Sequence, residues 1–210
     1  MLTVLSYPGT RGVRITWACE ELGLDYEYQL VNLYKNEHKQ PEFLKVTPMA
    51  KVPALIDGDL SLAESGAIVS YLADKAGRLI PNAGTPERGL YEQAMYFTLT
   101  ELEQPLWTIA KHKFVYPEQQ RIEKMQALGA LEFESALKIF SKLLGDKPFI
   151  LGDDFSVADV VAGHTLSWAQ GFKLSLVHNN VEKYAKNVLA RDALARARKR
   201  EEDAKEKLDA

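Results

Sequence analysis

One cysteine, Cys19, stands alone in 210 residues. A lone thiol excludes an intrachain disulfide framework and any metal site built on a cysteine cluster, and it fits a reducing compartment. Long apolar runs are missing too: no stretch approaches the roughly 20 residues that a membrane-spanning helix needs. The formal net charge is only −3, so nothing directs the chain to nucleic acid or to an acidic membrane surface. The first residues, MLTVLSYPG, lack the basic start and long apolar core of a secretory signal. These absences set the expectation of a cytoplasmic protein with no metal, membrane or nucleic-acid partner. What is present is ordinary for a folded domain: 46% hydrophobic and 26% charged residues can bury a real core.

The pattern changes character along the chain. Leu2–Tyr7 reads as a short strand ended by Pro8-Gly9, and Ile15, Ala18, Cys19 and Leu22 form one helical face stopped by Gly23. On that face Cys19 is a small core residue. DYEYQLVNL alternates as a strand, PEFLKVTP is a helical turn, and two strands flank the turn signal Asp57-Gly58. A helix from about Ser65 to Lys75 follows, so the order is β-α-β-α-β-β-α. Beyond Gly89 only helical patterns remain: Leu90–Phe114, Glu118–Leu144, Ser156–Phe172, and a stretch from about Val181 onward. In the second of these, Phe133, Ala136, Leu137, Phe140 and Leu144 share one face. The expected architecture is an α/β domain over residues 1–78, a Pro/Gly-rich linker over 79–88, and an all-helical domain over 89–210. The charge-dense end, RARKREEDAKEKLDA, reads as a solvated helix.

Two elements carry chemistry. Pro53 sits at a strand, where its missing N–H is out of place. A cis Val52–Pro53 bond at a sheet edge would turn the Val52 backbone outward to pair with an extended ligand. A trans proline at a strand start is the plainer alternative. Eleven residues later, Glu64-Ser65-Gly66 opens a helix whose first N–H groups and dipole suit a carboxylate. Ser65 can donate to that carboxylate and Glu64 can hold an amine, which together describe the end of an amino acid. Ser65 can equally be an ordinary N-cap.

The element order, VPAL, ESGAI and the helical second half resemble the cytosolic glutathione transferase family over nearly the whole chain. DDFSVADVVAG adds support, with a capping box from Ser156 to Asp159 and Phe155 placed to pack on Val160. The resemblance implies a thioredoxin-like first domain with cis-Pro53, and Val52 pairing with the cysteinyl part of glutathione. It implies Glu64 and Ser65 on the γ-glutamyl end, and Lys39 or Lys51 near the glycyl carboxylate. Glutathione would be the co-substrate, its thiolate conjugated to small hydrophobic electrophiles in detoxification or used to reduce peroxides or disulfides. A homodimer is implied as well, with Tyr91, Met95 and Leu99 facing the partner. The family also has non-enzymatic interaction modules, which would be the other reading of this scaffold.

The thiol must be ionised, and the resemblance implies a donor from the loop SYPGTRG. Thr10 ranks first, standing where serine-type members of the family place their serine relative to the first helix, then Arg11 and Tyr7, with Ser6 last. No Cys-x-x-Cys is present, so dithiol chemistry is excluded. The electrophile site is expected to be apolar and to lie between the domains, with Tyr7, Trp107, Lys111 and Phe114 as its residues. Trp168 and Phe172 are read as core, and His112 as exposed.

Overall fold

The computed structural model describes residues 1–209. Two compact units form: Met1–Ile80 with the residues from Ala190 onward, and Pro81–Leu189.

The first unit is built on a four-stranded sheet of β1 (Leu2–Ser6), β2 (Tyr26–Leu30), β3 (Ala54–Asp57) and β4 (Leu60–Ala63). The strand order is β2-β1-β3-β4. β1 runs parallel to β2 and antiparallel to β3, and β3 is antiparallel to β4. Helices α1 (Val13–Leu22), α2 (Pro41–Val46) and α3 (Ser65–Ala76) complete the expected order. The central strand β1 is apolar on both faces: Val4 and Leu5 are both buried, as a strand covered from both sides must be. Leu5 packs with Val31, Phe43 and Ala54. By alternation Val4 and Ser6 point the other way.

The register gathers four connections at one end of this sheet. Leu5 stands opposite Ala54, and Ala54 opposite Ala63. Ser6 stands beside Leu30. The segments 7–12, 31–40, 51–53 and 64–65 therefore all leave the sheet on the same side.

The last helix, α9 (Asp192–Asp209), packs on α1 and β2. The charge-dense stretch from Arg196, expected solvated, is exposed at Arg196, Arg198, Lys199 and Arg200 but buries Ala197 and Glu201, as the start of the helix buries Ala193 and Leu194. Arg191 makes a two-point ion pair with Glu21, at 2.5 and 2.7 Å. Arg196 Nε lies 3.0 Å from Glu20 Oε2. Arg200 donates to the Tyr26 carbonyl at 2.9 Å and stacks 4.3 Å from that ring's centre. Small alanines let the helices approach, and arginines hold the rim.

The second unit consists of α4 (Pro86–Phe97), α5 (Gln104–Ala110), α6 (Glu123–Leu144), α7 (Val157–Gly171) and α8 (Asn179–Leu189). Thr85 caps α4 by accepting from Arg88 N–H at 3.2 Å. The expected single helix over 90–114 is interrupted by π-helical turns at Thr98–Leu102 and Lys111–Val115. The first precedes Pro105, whose ring cannot tolerate a regular turn before it. Tyr91 and Met95, expected at a partner surface, are instead buried within this unit. Gly129 is where α6 crosses α5: a Cβ there would lie 2.8 Å from the Pro105 carbonyl and 2.9 Å from Ile109.

At its centre is the capping box that opens α7. The Asp159 carboxylate accepts from Ser156 N–H, Ile150 N–H and Tyr184 hydroxyl at 2.8, 2.8 and 2.9 Å. Burial raises the Asp159 pKa, while these bonds act to lower it.

Candidate functional site

The loop between β1 and α1 is tied by one hydroxyl. Thr10 Oγ1 donates to the Tyr7 carbonyl at 2.7 Å and accepts from Gly12 N–H at 3.2 Å. Ser6 Oγ lies 3.3 Å from the same oxygen. Gly12 must be glycine here, because a Cβ would fall 1.5 Å from Ser6 Oγ. Thr10 and Arg11 are half-buried at the head of α1. Tyr7 is also half-buried, its ring meeting Tyr34 edge-on at 5.7 Å between centres. Tyr34 itself is exposed, so these two rings line the mouth of the loop.

Beside this loop the Val52–Pro53 bond is cis. Pro53 is buried and Val52 half-buried. The Val52 backbone has no hydrogen-bond partner among the described residues. It is available to an extended ligand, as a strand edge is.

At the head of α3, Glu64 is exposed and takes φ 68, ψ 112, a region that side chains rarely adopt. Strain of this kind persists where the surroundings impose it, often at ligand sites. It turns the chain so that Ser65 begins the helix. Ser65 is buried, and its Oγ accepts from the guanidinium of Arg14 at 3.0 Å. Because Arg14 only donates, the hydroxyl hydrogen of Ser65 stays available. Arg14 is itself fully buried. A buried cation and the first-turn amides of α3 therefore act on the same point, and both favour an anion there.

Arg14 had not been singled out. It lies off the apolar face of α1 in the periodicity, and nothing in the sequence ties it to a serine 51 residues away. Lys39 and Lys51 are both exposed at this end of the sheet. Next to Lys39, the buried Nδ1 of His38 has no hydrogen-bond partner among the described residues, and burial, then the Lys39 charge, lowers its pKa. Cys19 lies fully buried, and its thiol is pushed up to about 12, mainly by burial and then by Glu20. It is a core residue, not a nucleophile.

In the helical unit, Trp107, Phe114, Trp168 and Phe172 form one aromatic cluster. Ring centres are 6.5 Å apart for Trp107 and Trp168, 6.0 Å for Trp168 and Phe172, and 6.3 Å for Phe114 and Phe172. Trp168 and Phe172 are half-buried rather than core, and Phe114 is 57% exposed. Lys113 adds a cation 5.2 Å from the Phe172 ring centre. Lys111 is half-buried nearby in sequence. His112, expected exposed, is buried, and its Nδ1 accepts from Ile122 N–H at 3.2 Å. Among the described residues no cluster of His, Cys, Asp or Glu can hold a metal ion, and no helix is long and apolar enough to cross a membrane.

Comparison with known proteins bears on these features. Residues 1–74 match the glutathione S-transferase N-terminal domain, and residues 119–186 match the glutathione S-transferase C-terminal domain. The disulfide-bond oxidoreductase YfcG of Escherichia coli is 32% identical over 76% of this chain and 76% of its own. A glutathione transferase of Burkholderia graminis, solved with two glutathione molecules per subunit, is 30% identical with TM-score 0.82, covering 93% of this chain and 86% of that one. A glutathione transferase of Phanerochaete chrysosporium, solved with oxidised glutathione, is 28% identical with TM-score 0.83, covering 97% of each chain.

Proposed function

From the premise that this chain belongs to the glutathione S-transferase family, we propose that its first unit binds glutathione and presents the thiolate as a nucleophile. The observation that carries this reading is the Arg14–Ser65 pair beneath the first turn of α3, on the same side of the sheet as cis-Pro53. The γ-glutamyl carboxylate is taken by the Ser65 hydroxyl and the α3 amides, with Glu64 holding its amine. Val52 pairs with the cysteinyl backbone. Lys39 and Lys51 are the charges available to the glycyl carboxylate.

The chemistry needs only a stabilised thiolate. Thr10 supplies its hydroxyl to the sulfur, with Arg11 adding positive charge and Tyr7 walling the site. For the acceptor, the helical unit offers the apolar cluster of Trp107, Phe114, Trp168 and Phe172, its rings tilted 49–57° to one another, with Lys111 close in sequence. A small hydrophobic electrophile suits it: sulfur attacks carbon, a thioether forms and the leaving group departs. Reduction of a disulfide is the second reading, favoured by the relationship to YfcG. There the thiolate attacks one sulfur of the disulfide and expels the other as thiolate. A second glutathione resolves the mixed disulfide, and no protein cysteine takes part.

Glutathione titration by calorimetry tests binding, and turnover of an activated aryl halide against that of a small mixed disulfide tests the chemistry. Binding without either turnover would assign the chain to the non-enzymatic modules of the family; no binding would refute the site. A cytoplasmic homodimer completes the proposal. Exposed Leu90, Tyr96 and Leu131 replace Tyr91 and Met95 as its apolar contacts, and light scattering should return twice the 23.6 kDa chain mass.

A further inference from the structure

We propose that Ser6 is a positioning residue that makes the Thr10 hydroxyl an obligate donor. The inference rests on the reading above that the glutathione sulfur meets Thr10. A threonine hydroxyl has one hydrogen and two acceptor sites. Its hydrogen here goes to the Tyr7 carbonyl at 2.7 Å. The 3.3 Å contact with Ser6 must then run from Ser6 to Thr10, because Thr10 has no second hydrogen to give. Gly12 N–H occupies the other acceptor site at 3.2 Å.

Both lone pairs of Thr10 are thereby filled, and only its hydrogen can be redirected. A thiol presented to this oxygen finds no acceptor for its own proton, whereas a thiolate finds a donor. The site therefore discriminates between the two ionisation states by hydrogen-bond direction as well as by charge. Two donors into one oxygen also polarise its O–H bond, as chains of hydrogen bonds do.

The surroundings of Ser6 fit this role. It is fully buried at the last position of β1, under the loop, where an apolar side chain would serve packing alone. Its own carbonyl is occupied by Val31 N–H at 2.8 Å, so the side chain is not needed to satisfy the strand end. Gly12 is kept bare directly above it, since a Cβ there would collide with the Ser6 hydroxyl. The buried phenol of Tyr28, without a hydrogen-bond partner among the described residues, lies on the Ser6 side of the loop.

The test is the pKa of the bound glutathione thiol, read from thiolate absorbance against pH in the full chain. Binding of S-methylglutathione, which has no thiol to ionise, is measured alongside. Ser6→Ala should raise the bound-thiol pKa by about 0.4–1 pH unit, the scale of one neutral hydrogen bond, and leave S-methylglutathione affinity within about twofold. Thr10→Ala should raise it further, and the double variant should match Thr10→Ala alone. Ser6→Cys, a weaker donor of similar size, should fall between Ser6→Ala and the parent, and it stands in if the alanine variant does not fold. A raised pKa in Thr10→Ala with no shift in Ser6→Ala or Ser6→Cys would overturn the role of Ser6 and leave Thr10 in place. No shift in Thr10→Ala would remove the Thr10 reading, and Ser6 with it. Weakened S-methylglutathione binding in Ser6→Ala without a pKa shift would make Ser6 a loop support only.

Discussion

Glu201 is a buried carboxyl whose only hydrogen-bond partner among the described residues is a hydroxyl, and its replacement makes a sharp stability prediction. It sits on α9, 3% exposed, and accepts from Thr16 Oγ1 of α1 at 3.2 Å. From β2 it is faced by the Tyr28 phenol, whose own pKa is raised by burial first and then by the Glu201 charge. On α9 itself, Arg198 favours its ionised form and Glu202 opposes it. Burial outweighs the rest and pushes the carboxyl from an ordinary 4.5 up to about 8. A carboxyl whose folded pKa lies above its unfolded one binds its proton more tightly when folded. Its contribution to stability is thus complete below pH 4.5, shrinks as pH rises, and is gone above about 8.

At about 1.4 kcal/mol for each pH unit, the window between those values is worth up to roughly 5 kcal/mol. Glu201→Gln keeps the acceptor for Thr16 and removes the charge. Urea unfolding of parent and variant from pH 5 to 9 measures the effect, since histidines and surface carboxylates titrate alike in both. The parent should lose stability relative to the variant across that range, leaving the variant the more stable by several kcal/mol at pH 9. Equal pH slopes in the two proteins would refute the reasoning, because the Glu201 proton would then not be linked to folding.

Ser65→Ala should weaken glutathione binding by about 10- to 100-fold, the scale of one hydrogen bond to a charged group, measured by calorimetry. Arg14→Leu should weaken it at least as much, because it removes the buried cation as well; unchanged affinity in both would displace the carboxylate from α3. Asp159→Ala should cost about 3–5 kcal/mol in urea unfolding of the helical unit. It strands the Ile150 and Ser156 amides and the Tyr184 hydroxyl in the interior. A loss below about 1 kcal/mol would mean that water replaces the carboxylate there.

The residues that sequence reasoning found are those whose chemistry is constrained by the backbone. Pro53 is legible because a residue without an N–H at a strand must answer to something other than the ladder, and the structure gives it a cis bond just before β3, outside the ladder. Glu64-Ser65 is legible because a strand must turn into a helix there, and the cost falls on Glu64 at φ 68. The order of elements along the first unit and the α7 capping box follow from periodicity and spacing in the same way. What escaped acts through partners distant in sequence. Arg14 lies off an apolar face that reads as complete without it, and only the fold brings it to Ser65. The end of the chain reads as solvated because arginines and alanines carry little hydropathy. Ala193 and Ala197 nevertheless let α9 approach α1, while Arg191, Arg196 and Arg200 reach Glu21, Glu20 and Tyr26 around them.

Thr10 falls between these cases, and shows why composition alone cannot assign a donor. That the loop needs a hydroxyl is readable from the thiolate chemistry. Which way that hydroxyl points is set by Ser6 and Gly12, one a strand terminus and the other the head of α1. The same oxygen with one acceptor site open could also accept from a thiol. Its two filled sites leave a single role, so in the proposed mechanism the direction of the bond to sulfur is a property of the loop's hydrogen-bond count rather than of the threonine.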